Sequence, residues 1–464
     1  MVSLAAELRE QGALPEAVEL LTMAQQNQPG DFWLNLELAA TMMVWHPSEP
    51  RDALPFVTAA LALSNGNPGV YTYVGHAQVK AGRLADAEAS FRQAVRIKND
   101  FAVAIADVGL VLNEQGKLKE AQAMLERALA LDPGNPRAYY NLGLNLQKQG
   151  NNRGALEAYQ QSIALKPDFP EAFNNFGNTL TALGRFDEAL AAFDRALALR
   201  PRYARAHYNR GCLLDQLRRF DEAKASYRQA LECQPEFAVP HYQIAHDLVY
   251  EEGRFQDALA ELDQGVKLVS PNDPTKPRWD RLRAECRRLI KLDPRLDLYL
   301  KGEIKPAGAG EACELALLSA WPSRRLFGEA ARLYEQAFAA EPTREKDLRF
   351  GYRYYAAGCA ARASSGKGRD SHAAAERTHW RERALKWLQA DLSIRREQIR
   401  RGTPEQAKDA RSKLLYWLSD PHLVDVREQR SLQEMTEPQR HAWRELWQTV
   451  RELANQPNVA PEKG

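Results

Sequence analysis

Small, apolar and turn-forming positions recur every 34 residues between Pro136 and Phe237. Gly143, Gly177 and Gly211 share one register, as do Ala155, Ala189 and Ala223. So do Tyr159, Phe193 and Tyr227, and Pro167, Pro201 and Pro235. The same register extends upstream through Gly109, Ala121, Leu125, Ala128 and Pro133, and through Gly75, Ala87, Phe91 and Ala94. Downstream it keeps Ala245, Phe255, Ala258 and Leu262, with an extra residue at Glu251–Gly253, and returns at Leu317, Phe327, Ala330, Tyr334, Ala337 and Pro342. Between these copies, Ser270–Pro277 is a turn-rich break. Trp279, Leu282, Cys286, Leu289 and Ile290 then mark one face of a helix. Pro294 to Gly310 reads as a second irregular link, because proline does not continue a helix. Toward the C-terminus the apolar spacing predicts helices over 348–363, 373–401, 404–418 and 437–454. A flexible loop is expected at Ser364–Asp370.

The period and the order small, small, aromatic, proline resemble the tetratricopeptide repeat, in which each unit is an antiparallel pair of helices, A and B. That resemblance gives each position a packing reason. A glycine at the eighth position and an alanine at the twentieth let A and B approach closely, and a larger side chain would overpack the crossing. The bulky residue at the twenty-fourth position fills the space between units. Proline at the thirty-second ends helix B, since it pushes its predecessor out of the α region. Before residue 68 the pattern loosens. Trp33 and Leu36 open a helix A, Ala53, Val57 and Ala60 its helix B, with a longer turn around Trp45–Pro50; Gly12, Ala17, Leu21, Ala24 and Pro29 fit one more unit. In that register Met1 falls inside a helix A with no capping element before it, as if the chain were the C-terminal part of a longer polypeptide or its first helix frayed.

The fold class expected is all-α: a tetratricopeptide-repeat solenoid, a right-handed superhelix of helix pairs, closed by a C-terminal helical cap rich in tryptophan. The expected organisation is a repeat array over 1–271, a linker with one helix over 272–310, a divergent unit plus the cap over 311–454, and a disordered tail over 455–464. Trp387, Trp417, Trp443 and Trp447 recur on the C-terminal helices and read most simply as core.

Three C-terminal runs, RALKWLQADL, LLYWLSDPHLVDVR and WRELW, together with Asp31–Asn35, are similar to a family of bacterial serine/threonine kinases with long tetratricopeptide regions. The resemblance implies a regulatory or docking part of such a protein, or a stand-alone relative. It does not carry kinase activity to these residues, because the chain has no Gly-rich phosphate loop, H-R-D or D-F-G.

Composition narrows the function classes. A hydrophobic share of 44% supports a packed core. The formal net charge of +2 gives no overall pull toward nucleic acid or acidic membranes. No apolar run is long enough to span a bilayer, and the first residues lack the basic leader and apolar stretch of a signal peptide. Cys212, Cys233, Cys286, Cys313 and Cys359 are scattered and never form C-x-x-C, which fits reduced thiols in a cytoplasm. The histidines form no metal-ligand motif, and His241 and His246 are too far apart to share a helix face as an i, i+4 pair would. Ser365-Gly-Lys-Gly lacks the first glycine and the final Ser/Thr of a phosphate loop. The Lys/Arg-rich stretch 377–401 has acids interspersed and reads as an ion-paired surface. No enzyme activity, cofactor or metal is expected.

Binding residues are expected on helix A, which lines the concave surface in the resembled fold. The sixth position reads Asn35, Tyr73, Asp107, Asn141, Asn175, Asn209 and Gln243; the fifth reads Tyr140, Asn174, Tyr208 and Tyr242. An amide donates and accepts at once, so a row of asparagines can hold a peptide backbone without reading its sequence. A similar ladder occurs in the repeat domain of O-GlcNAc transferase. The competing reading is that these amides bond to the neighbouring unit. Tyrosines suit an interface because they cover area at low entropic cost, or they pack on the adjacent helix. Co-chaperones that clamp a peptide C-terminus use Lys at the fifth position, which is absent here, so that mode is rejected. The candidate groove is therefore Tyr140, Asn141, Asn174, Asn175, Tyr208, Asn209, Tyr242 and Gln243, and its expected ligand is an extended segment of a partner protein, not a nucleic acid or a membrane.

Overall fold

A computed structural model describes the chain except for residues 1, 11, 12, 46–49, 64, 65, 81, 347–350, 371, 372, 434 and 457–464. The expectations for Met1, Gly12, the turn at 46–49 and most of the tail fall outside the described residues. The rest is all-α, with two compact units, Met1–Pro235 and Glu236–Gly464.

In the first unit the register becomes a strict alternation of helices. A helices Pro68–Lys80, Ala102–Glu114, Pro136–Lys148, Pro170–Ala182 and Ala204–Gln216 alternate with B helices Leu84–Ile97, Leu118–Leu131, Asn152–Leu165, Phe186–Leu199 and Phe220–Cys233. Each A helix packs antiparallel on the B helix that follows. Bulk at the crossing is controlled by one pair of positions. A Cβ on Gly143 would lie 2.6 Å from the Tyr159 ring, and one on Gly177 would lie 2.8 Å from the Phe193 ring. The rings at this position, Phe91, Tyr159, Phe193 and Tyr227, are fully buried. Each therefore sits first against the glycine of its own unit and only then reaches the next, as Phe193 does toward Leu213. Burial of such a ring contributes about 1.5–3 kcal/mol.

A second glycine does different work. Gly82, Gly116, Gly150 and Gly184 end their A helices at positive φ, between +73° and +80°, with open space where a Cβ would stand. They serve backbone reversal, not close packing. In the fifth repeat Arg218 takes the same left-handed place at φ 60°, and its guanidinium covers the Phe220 ring, 5.4 Å from the centroid. The B helices end as expected before proline: the caps Lys166, Arg200 and Gln234, which precede Pro167, Pro201 and Pro235, lie outside the α region.

In the second unit, Ala238–Asp247 pairs with Phe255–Gly265, and the extra residue is absorbed in a π-helical turn, Leu248–Glu252, that ends on Gly253 at φ 70°. Helix Lys276–Leu300 then runs straight through Pro294, where an irregular link was expected. Proline there removes one backbone bond at a cost of about 3 kcal/mol. Two features offset it. Leu289, Leu292 and Leu296 are buried on both sides of the proline, and Arg324 clamps both flanks, bonding Asp293 at 2.6 Å and Asp297 at 3.0 Å.

The remaining pairs are Ala309–Ser319 with Phe327–Ala340, and Tyr352–Ser364 with Ala374–Arg401; Pro404–Ser419 and Glu437–Ala454 complete the unit. Trp380, Trp387, Trp417, Trp443 and Trp447 are each 2% exposed or less, so the tryptophans are core. Short helical pieces at Pro421–Leu423, Val424–Arg427 and Gln429–Leu432 lie where no periodic signal exists. The loop after Ser364 makes contacts within the second unit: Lys367 pairs with Asp425 at 2.7 Å, and Asp370 accepts from the Glu329 backbone at 2.9 Å. Acids pair the basic helix as expected, including Arg395–Asp391 and Arg401–Glu397.

Candidate functional site

The candidate groove residues of the first unit come together, and their amides bond largely to one another. Asn209 Nδ2 donates to Asn174 Oδ1 at 2.9 Å, Asn174 Nδ2 donates to Asn175 Oδ1 at 3.0 Å, and Asn175 Nδ2 donates to the Tyr140 hydroxyl at 3.0 Å. This relay links three successive A helices. Asn174 is wholly buried at its centre, and Asn175 and Asn209 are half-buried. Replacing Asn174 by alanine should strand the Asn209 donor and the Asn175 acceptor. The expected cost is about 1–3 kcal/mol, read as a fall in the melting temperature; an unchanged melt would mean the relay holds nothing together.

The Tyr140 ring sits between the Phe169 ring, 5.0 Å away, and the Tyr159 ring, 6.0 Å away. Burial, with the Glu171 carboxylate and Tyr203 nearby, raises its hydroxyl to about 12, so it stays protonated. Since it accepts from Asn175, its own proton is left to donate. Tyr208 packs its ring 5.8 Å from Tyr227, the same own-unit contact that Tyr140 makes with Tyr159.

Asn141 is different. It is buried to 6% exposure, its backbone carbonyl accepts from Asn113 Nδ2 at 3.0 Å, and it lines a cleft of about 460 Å³ with Tyr140, Arg137, Lys166, Glu171 and Arg200. Arg200 is paired with Glu171 at 2.7 Å. Lys166 lies 5.3 Å over the Phe169 ring. The cleft thus combines a donor hydroxyl, an amide, three cations and the carboxylates of Asp168 and Glu171.

In the second unit Tyr242 is 7% exposed beneath Trp279, whose ring stands 5.2 Å away, and its hydroxyl accepts from Arg278 Nε at 2.7 Å. Helix Lys276–Leu300 covers it, so Tyr242 is a packing residue; Gln243 beside it is half-buried. Of the other sixth-position residues, Asn35 is wholly buried and bonds to the Pro29 and Asp31 carbonyls, at 2.9 and 2.7 Å. Sequence reasoning passed over Asn113 and Asn145, which form a second buried link between repeats: Asn145 Nδ2 bonds to Asn113 Oδ1, and to the Leu118 carbonyl at 2.8 Å. Their signal was only an amide on an otherwise apolar stripe. Among the described residues no group of His, Cys, Asp and Glu could hold a metal ion, and no helix is long and apolar enough to cross a membrane.

Family models agree with this geometry. Tetratricopeptide-repeat models match residues 136–169 and 168–236, and a further TPR repeat model matches 109–150. The chain carries tetratricopeptide repeats. The TPR segments so matched hold the relay, the cleft and Asn113. Solved structures with a similar arrangement include YrrB, described as a TPR protein with an unusual peptide-binding site, at 27% identity over 40% of this chain and 95% of that one, TM-score 0.32. They also include MamA from Desulfovibrio magneticus RS-1, at 18% identity over 37% and 96%, TM-score 0.33. The APC/C hetero-tetramer Cut9-Hcn1 matches at 19% identity over 59% and 52%, TM-score 0.47. No curated protein matches the chain.

Proposed function

We propose that the TPR array is a non-catalytic scaffold that holds an extended segment of a partner protein against its A helices, centred on Tyr140 and Asn141. The observation that carries this reading is the cleft beside those two residues. Arg200 pairs with Glu171, and of the remaining lining charges the cations Arg137 and Lys166 outnumber the carboxylate Asp168, so an acidic side chain in the segment would be favoured. Asn174, Asn175 and Asn209 serve the scaffold by fixing the repeats on which the cleft is built, and a preformed surface lowers the ordering cost of binding. The same reading places the protein in a cytoplasm, where its free thiols stay reduced.

The test is a peptide selected from a displayed random library on the immobilised chain, then measured by fluorescence anisotropy. Asn141→Ala should weaken the selected peptide about tenfold, the value of one or two hydrogen bonds, without moving the melting temperature. Unchanged affinity, or failure to enrich any peptide, would overturn the assignment. A second reading rests on the C-terminal runs at 383–392 and 414–427: that the array is the docking region of a bacterial serine/threonine kinase. An in-frame kinase sequence upstream of Met1 in the encoding DNA would support it, and an in-frame stop codon there would exclude it.

A further inference from the structure

In the second unit, helices Lys276–Leu300 and Ala309–Ser319 bound a cleft of about 550 Å³ that the peptide reading does not use. Arg287, Arg288, Lys291 and Arg295 line it from the first helix, and Glu311 and Glu314 from the second. Four cations thus face two carboxylates among the described residues of the lining. The two helices carry six carboxylates, four on the first and two on the second, and other cations engage every one of them. Asp280 pairs with Lys276 at 3.0 Å and with Arg283 at 3.6 Å. Arg288 bridges Glu285 at 2.7 Å and Glu314 at 2.9 Å. Arg324 holds Asp293 and Asp297, and Arg295 donates to Glu311 at 3.0 Å. The Arg295 bond keeps the Glu311 carboxyl below its ordinary value, so it stays ionised and committed to that partner.

Arg287 and Lys291 are left over. Both are exposed, and neither side chain has a carboxylate partner among the described residues. They stand about one helical turn apart on the same face, about 6 Å along the axis. Like charges at that spacing repel each other, and an anion from outside relieves the repulsion. An extended peptide places alternate side chains on one side, about 6.6 Å apart. Two acidic residues separated by one other therefore match the two free cations in sign and in spacing. A nucleic-acid backbone or an anionic bilayer fits less well, because affinity for either grows with the number of cations engaged and needs about four or more at a membrane surface. The chain's net charge of +2 adds no long-range pull toward them.

We propose that this face of helix Lys276–Leu300 docks an extended acidic segment of a partner protein. Acidic residues at alternate positions of the segment pair one with Arg287 and the next with Lys291, while Arg288 and Arg295 keep their own glutamates. Ala284 and Leu292, the apolar part of the lining, leave room beside the two cations for the segment's backbone. The surface is separate from the Tyr140–Asn141 cleft and does not depend on it.

The experiment titrates the full chain into a short fluorescent, threonine-rich peptide with two glutamates separated by one residue, and follows anisotropy. Binding should appear below about 1 mM and weaken as salt is added. Glutamine in place of both glutamates should weaken it about tenfold, and moving the glutamates side by side should weaken it severalfold. The joint replacement Arg287→Gln with Lys291→Gln should weaken the peptide about tenfold and leave the melting temperature unchanged, since both side chains are exposed. Lys386→Gln with Arg396→Gln removes the same charge at two exposed positions of helix Ala374–Arg401 and should leave binding as it was. No binding at about 1 mM overturns the proposal. So does unchanged affinity in the Arg287 and Lys291 variant, which would place the peptide elsewhere, the Tyr140–Asn141 cleft included. An equal loss in the Lys386 and Arg396 variant would make the effect one of net charge and overturn it too. Tighter binding of a thymidine oligonucleotide, or of a phosphatidylserine vesicle, would replace the protein segment by that partner.

Discussion

Replacing Gly143 by valine should lower the stability of the first unit by about 3 kcal/mol or more, near the upper end of the range for overpacked cores. The new Cβ would fall 2.6 Å from Cε1 of Tyr159. That ring has nowhere to go. It is wholly buried, it faces the Tyr140 ring, and its hydroxyl donates to Gln147 at 3.2 Å. Melting followed by circular dichroism should show a fall of roughly 6–12 °C for a unit of this size. Combining Gly143→Val with Tyr159→Ala should recover part of the loss, because the two changes remove and refill the same space. Additive losses would mean that the clash is not the cause. Gly150, in the same repeat, is a useful contrast. It has φ 80° and nothing near a built Cβ, so alanine there should cost only about 1 kcal/mol of backbone strain.

Replacing Trp447 by alanine should cost about 3–5 kcal/mol in the second unit. The side chain is 1% exposed, stacks on Trp443 with centroids 6.4 Å apart, and donates from Nε1 to the Val426 carbonyl at 2.7 Å. Truncation opens a cavity and leaves that carbonyl unpaired at once. Helices Pro404–Ser419 and Glu437–Ala454, which pack together, should then exchange their amide hydrogens much faster. Trp447→Phe, which keeps most of the volume and loses the donor, should show a smaller acceleration. If exchange in these helices is unchanged by the alanine, the tryptophan core does not hold them in place.

The sequence made the repeats legible because their packing depends on single residues at fixed spacing. Gly143 and Tyr159 are a contact as well as a pattern, and the proline after each B helix acts through its own backbone. Pro294 misled for the opposite reason. Its local effect is real, but Leu292, Leu296 and the Arg324 clamp on Asp293 and Asp297 outweigh it, and the clamp spans about 30 residues of sequence. The short turns at 421–432 are fixed by contacts outside the segment, Trp447 donating to the Val426 carbonyl and Arg427 donating to the Trp417 carbonyl, and carry no period to read. At the candidate site, spacing identified which residues share a face but not which amide meets which. The relay through Asn174 depends on side-chain rotamers, and so does the difference between Asn141, which lines the cleft, and Asn175, which bonds to its neighbours. Tyr242 was assigned to the groove because the helix that covers it lies outside the repeat pattern.

The π-helical turn at Leu248–Glu252 has a wider consequence. One residue inserted into an ordinary α-helix rotates everything after it by about 100° and would turn the buried face toward water. Here one widened turn takes up the surplus, and Phe255, Ala258 and Leu262 still meet the core. The repeat thus keeps its phase independently of its residue count. Helices that can absorb a frameshift in this way let such an array change length without first losing its fold.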